Sequence, residues 1–243
     1  MSAMETILAL ASAAGLDADL LARYGPSLLQ GLGVTLTLVA VAVPLGFALA
    51  GPIAIARIEG GPATRMLAAG FTGLFRGTPV LCQLFLVYYG SGQFRHALAD
   101  LGIWPVFRDA FWCAVITFTL NTAAYQAEIL RGALRATPAG QTEAAQALGM
   151  GRFAIYRLVL GPQALVLALR PLGNELVLMI KASSVASVIT VVDLTTATKR
   201  AFSGSLDFEV YLWAAAIYLV VVEIVRRVWN ALEKAMTRRT RAA

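Results

Sequence analysis

Charge is scarce in this sequence: Asp, Glu, Lys and Arg make up 14% of 243 residues, about half the share of an ordinary soluble domain. A chain so poor in charge and so apolar, with a mean hydropathy of +0.71, is not expected to be a water-soluble globule. Histidine and cysteine are scarcer still. His96 stands alone, and Cys82 and Cys113 both lie inside apolar runs, so neither a metal site nor a disulfide framework is expected. No Gly-x-x-x-x-Gly-Lys-Ser/Thr segment occurs, which excludes nucleotide binding by that loop, and no grouping of nucleophile, base and acid points to catalysis. No cofactor is implied. The first residues lack a basic stretch ahead of their apolar ones, so Met1 to Leu10 does not read as a cleaved signal peptide and is expected to lie at a membrane interface.

What is abundant is hydrophobic sequence, 58% of the chain. Five segments approach the roughly 20 apolar residues that a helix needs to cross a bilayer: Leu28 to Ala56, Met66 to Gly90, Ala110 to Leu130, Ala164 to Ile180 and Tyr211 to Val228. The expected fold is an all-α polytopic membrane protein of about five transmembrane helices. It forms one domain over residues 1–243, with an N-terminal interfacial segment at 1–27, a cytoplasmic loop at 132–163 and a basic tail at 229–243. The net charge of +6 could suggest nucleic acid, but the basic residues fall in short clusters between apolar runs. Arg57, Arg65, Arg131, Arg135, Arg152, Arg157 and the tail residues Arg226, Arg227 and Lys234 share one side if five spans alternate, which makes that side cytoplasmic and leaves the N-terminus outside. No role in binding nucleic acid follows.

The longest polar interruption, Thr137 to Ala164, separates the third and fourth segments. Thr137 followed by Pro138 reads as a capped helix start, and Gly149 with Gly151 reads as a stop. Between them Ala144, Ala145 and Leu148 fall on one face at helical spacing, a low ridge that another protein could approach closely. A second short helix is expected from Arg152 to Leu160, ended by Pro162. The run Glu143, Ala144, Ala145, then Gly149, then Val159 and Pro162 resembles the EAA loop of the membrane subunits of bacterial ABC importers, with Gly161 in place of the usual leucine and so a looser turn.

Four further stretches extend the resemblance toward the polar amino-acid subfamily over most of the chain from Leu28 to Trp229. They are Gly33 to Leu38; Phe75-Arg76-Gly77-Thr78-Pro79 with Gln83; Asn121, Ala124, Tyr125, Glu128, Arg131 and Gly132; and Pro171 to Glu175 with Lys181, Ser183 and Ser184, where Ala182 replaces the family's usual aspartate. The resemblance implies a permease subunit that moves polar amino acids or related compounds, with cationic amino acids and opines among the candidates, across a bacterial inner membrane. It implies a coupling helix at Glu143, Ala144, Ala145 and Gly149, docked on a separate ATP-binding subunit. It also implies a second permease subunit, the same or related, and an extracytoplasmic solute-binding protein. Uncharged polar groups in the spans are the candidates for the solute path: Gln83, Asn121, Tyr125, Ser183, Ser184 and Ser187. Each could equally be glue between helices. Glu128 and Arg131, one turn apart, read as an ion pair at the end of the third span, and Glu175 is expected to pair with Arg170, to meet a partner subunit or to line the path. The residues alone leave two alternatives open, a secondary transporter and a membrane scaffold protein.

Overall fold

The computed structural model describes residues 17–241, and every regular element among them is helical. The first helix, α1, runs Ala18–Glu59. Asp17 caps it, accepting from the amides of Asp19 and Leu20, so the polar residues ahead of the apolar run lengthen the helix instead of forming a separate segment. The helix thus begins inside the expected 1–27 segment, of which residues 1–16 lie outside the described part. Three prolines, Pro26, Pro44 and Pro52, sit within α1 and none ends it.

The second apolar segment is broken. α2 (Pro62–Gly77) and α3 (Val80–Gln93) meet at 104° across Thr78 and Pro79, because the proline has no N–H to continue the ladder and biases the residue before it toward extended backbone. Two short helices, Arg95–Asp100 and Trp104–Phe107, lead to α4 (Ala110–Ala136), and the loop helix α5 (Ala139–Ala147) follows. α6 spans Arg152–Ile189 without interruption: one α-helical turn, a π-helical segment at Ile155–Leu160, an α-helix at Gly161–Ala182 and a 3-10 segment at Ser183–Ile189. The expected separate helix ended by Pro162 is therefore absent, since a widened turn carries the chain past the proline. α7 (Leu194–Ser205) lies beyond, and α8 (Glu209–Arg241) closes the described chain.

Among the described residues, α1 and α6 are long and apolar enough to cross a bilayer on their own, and the bent pair α2–α3 makes a third candidate. The more polar α4 and α8, of 27 and 33 residues, reach about 40 and 50 Å. The core forms where Leu38, Val39 and Ala42 of α1 meet Cys113, Ala114 and Phe118 of α4 and Met179 and Ile180 of α6. A second cluster joins Ala133, Ala164, Ala168 and Leu172, with Trp229 of α8 packed against it. Trp229 thus belongs to the packed bundle, and the expected tail at 229–243 begins as the last turns of α8.

Candidate functional site

The loop helix ends as its sequence demands. Gly149 takes φ +74°, its N–H donates to the carbonyl of Gln146 at 2.9 Å, and the N–H of Met150 donates to that of Ala145 at 3.1 Å. This is a Schellman ending, with Met150 packed against Ala145 as the accompanying apolar contact. The start differs from expectation. Thr137 does not cap α5; its hydroxyl turns back to the Ala133 carbonyl at 3.4 Å, and Pro138 occupies the cap position. The expected face also splits: Ala145 is 4% exposed, buried against Ile155 and Leu160, whereas Glu143, Ala144 and Gly149 face outward. Two large apolar side chains flank that outward ridge, Leu148 at 81% exposure and Phe153 at 76%. The sequence pattern did not single out Phe153 as a surface residue, because its spacing fits a buried helix face as well.

Gln83, Asn121 and Tyr125 are brought together at the α2–α3 bend. The break leaves carbonyls without helical partners, and in a span these must be satisfied by protein. The Gln83 amide donates to the carbonyls of Phe75 and Thr78 at 2.9 and 3.0 Å, and the Asn121 amide donates to Phe75 at 3.1 Å and to the Gln83 side-chain oxygen at 3.0 Å. The Tyr125 ring lies under the Arg76 guanidinium, 5.3 Å from ring centre to the guanidinium carbon. Ser183 and Ser184 donate to carbonyls three residues back, at Ile180 and Lys181, and Ser187 accepts from Lys199 at 3.0 Å.

The expected Glu128–Arg131 pair is present, and two further arginines join it. Arg131 approaches the Glu128 carboxylate at 2.6 Å, Arg57 from the end of α1 at 3.1 Å and Arg76 from the bend at 3.9 Å. Three guanidiniums around one carboxylate leave a formal excess of two positive charges, and Arg57 also donates to the buried hydroxyl of Thr72. The ends of α1, α2 and α4 are tied at one level. The shared signal was their position, each basic residue closing an apolar run. Glu175, 6% exposed, accepts from Thr122 at 3.1 Å; Arg170, an expected partner, pairs instead with Glu233 of α8 at 3.5 Å.

A bundle of long helices, with one span broken at a polar bend and a short surface helix between two others, is the build of a transporter's membrane subunit. The chain belongs to the binding-protein-dependent transport system inner membrane components, whose family model matches residues 27–238. It is a permease, a multi-pass protein of the inner membrane. Among its relatives, the nopaline transport system permease protein NocM of Agrobacterium fabrum is 40% identical over 213 residues, covering 87% of this chain and 88% of that one. The octopine transport system permease protein OccM of Rhizobium radiobacter is 42% identical over 86% of both chains, and the arginine ABC transporter permease protein ArtM of Escherichia coli is 34% identical over 87% of this chain and 95% of its own. A crystal structure of an amino acid ABC transporter with histidines superposes with a TM-score of 0.77 at 34% identity, covering 88% of this chain and 96% of that one. The MetNI methionine ABC transporter in an inward-facing conformation, 18% identical with a TM-score of 0.72, shares the fold.

Proposed function

We propose that this chain is the membrane-spanning half of an ATP-driven importer for polar amino acids or related compounds, with opines and arginine the first solutes to test. Relatives named for nopaline, octopine and arginine transport support the solute class. The observation that carries the coupling is α5, a surface helix whose outward side presents Glu143, the small Ala144 and Gly149, with the large apolar Leu148 and Phe153 exposed in the same loop. Exposed apolar residues on such a helix suit a partner's groove; Glu143, Ala144 and Gly149 are the residues assigned to it, and buried Ala145 ties the helix to Ile155 and Leu160 of its own chain.

The chain has no phosphate-binding loop of its own, so the ATPase is a separate subunit gripping this helix. In this reading five spans cross the membrane, with the broken pair counted as one, and the bias of basic residues to one side supports a cytoplasmic α5 and C-terminal end and an N-terminus outside. A second permease subunit completes the solute path, lined by candidates such as Tyr125 and Ser184, and an extracytoplasmic binding protein delivers solute. ATP-driven closure of the ATPases displaces α5, and the rigid spans convert that motion into alternate access. The test is reconstitution in liposomes with labelled arginine and octopine. Uptake should require both an ATPase subunit and ATP, and solute movement by the chain alone down an ion gradient would refute the reading.

A further inference from the structure

α5 is joined to the spans by backbone on two sides, to α4 through Thr137 and Pro138 and to α6 through Leu148 to Gly151. Just beyond the second of these links, side chains join α6 to α1. Glu59, the last residue of α1, accepts a hydrogen bond from the Tyr156 hydroxyl at 2.8 Å, and its other carboxylate oxygen lies 3.5 Å from the Arg152 guanidinium. Both oxygens are thus held by the first turns of α6, almost a hundred residues further along the chain. Beneath them lies a cavity of about 340 Å³ walled by Ile58 of α1, Leu134 of α4, Thr142 and Gln146 of α5, and Ile155 of α6.

Tyr156 sits in the π-helical segment, and the local sequence explains why that segment exists. Pro162 has no N–H and its ring crowds the carbonyl four residues back, so a regular α-helix running through it loses a hydrogen bond and is pushed to kink. The widened turn removes the conflict: the N–H of Gly161 donates five residues back to the Tyr156 carbonyl. A Cβ at position 161 would stand 2.5 Å from that same oxygen, so this turn requires the glycine found there. Its inner side is packed on the loop helix through Ala145, Ile155 and Leu160, all buried. Displacing α5 therefore displaces the π turn, and with it the Tyr156 hydroxyl.

We infer that the Glu59–Tyr156 bond is a coupling strut, which delivers movement of α5 to the end of α1 so that α1, α4 and α6 shift together. Tyr156 and Glu59 are positioning residues, and their role rests on the coupling function proposed above. A strut differs from a docking contact in what its loss changes. The ATPase still binds and turns over, but less solute crosses per ATP.

The experiment uses the full complex of this chain with its ATPase and binding protein, at matched membrane abundance, carrying Tyr156→Phe, Glu59→Ala, Glu59→Gln or the pair Tyr156→Phe/Glu59→Ala. Co-purified ATPase, ATP hydrolysis and solute moved per ATP are measured. At an exposed site such as this one, loss of a hydrogen bond shifts an equilibrium by about three- to tenfold, so Tyr156→Phe and Glu59→Ala should each lower solute per ATP by about that factor. Co-purification and hydrolysis should stay within about twofold of the parent. Glu59→Gln, which keeps an acceptor oxygen, should lose less, and the pair should be no worse than the poorer single variant, as for two members of one bond. Unchanged solute per ATP would overturn the strut, as would multiplied losses in the pair or loss of the ATPase from the complex. Failure of the parent chain to retain any ATPase would instead overturn the coupling function itself.

Discussion

Replacing Gly149 separates the backbone demand of the loop from the space its partner leaves. At φ +74° a residue with a β-carbon costs about 1–2 kcal/mol more than glycine. Nothing lies within 4 Å of the place a Cβ would take, so within this chain the cost is conformational only. A penalty of that size lowers the population of the Schellman ending by about 5- to 30-fold. Gly149→Ala should weaken ATPase binding by that factor and reduce uptake in step, while the spans, far from the loop's end, stay folded. Gly149→Asn provides the control, because asparagine enters the left-handed region far more readily than alanine; it should retain most of both activities. The assay is titration of the purified ATPase onto membranes of matched permease content, followed by uptake in the same membranes. An alanine variant that binds and transports like the parent would refute the argument. So would asparagine failing as badly as alanine, since the groove's volume and not the glycine's φ would then be decisive.

Glu128→Gln should leave three arginines around a neutral amide and destabilise the chain by about 2 kcal/mol, less than the 3–5 expected for a fully buried pair because Arg76 is partly exposed. Thermal unfolding in detergent should show a loss of about 4–8 °C, and an unchanged midpoint would mean the cluster is not structural. Gly173→Ala should place a methyl group 2.4 Å from the Trp229 indole, whose N–H donates to the Leu169 carbonyl at 2.8 Å. Overpacking of this kind costs about 1–3 kcal/mol. The same melting assay should show recovery when Trp229→Leu is added, and no recovery would place the strain elsewhere.

The features legible from sequence are those decided within a few residues. Glycine at 149 announces a helix end because the left-handed conformation excludes other residues locally, and the structure puts the end there. The Gly77-Thr78-Pro79 run marks a break just as locally, through the missing N–H of Pro79, though a 104° bend, and not a mild interruption, depends on what receives the freed carbonyls. Pro162 misleads because a proline can stop a helix, widen a turn or, as in α1, be carried within it; here the turn widens, with Ile155 and Leu160 of that turn buried against Ala145 of α5. The polar residues at 17–23 read as wet sequence, which they are, yet a long helix can project beyond the hydrocarbon without changing its backbone. Arg57 and Arg76 could not be assigned to Glu128 from spacing, since they lie 71 and 52 residues away along the chain.

The bend also explains why polarity in a span is a weak sign of a solute path. Breaking a helix inside a membrane exposes backbone carbonyls that water cannot reach, and each needs a donor from the protein. The Gln83 amide, with three hydrogen bonds, and the Asn121 amide, with two, meet that need at Phe75 and Thr78. A solute that drew either amide away would reopen the break, which costs more than a single surface hydrogen bond returns. Tyr125 and Ser184 are less committed: the Tyr125 hydroxyl makes one long hydrogen bond of 3.5 Å, to the Arg76 carbonyl, while its ring faces the Arg76 guanidinium, and the Ser184 oxygen retains acceptor capacity after donating to the Lys181 carbonyl. Side chains that the fold leaves under-used are therefore better candidates for a solute path than the groups that hold α2 and α3 at their angle.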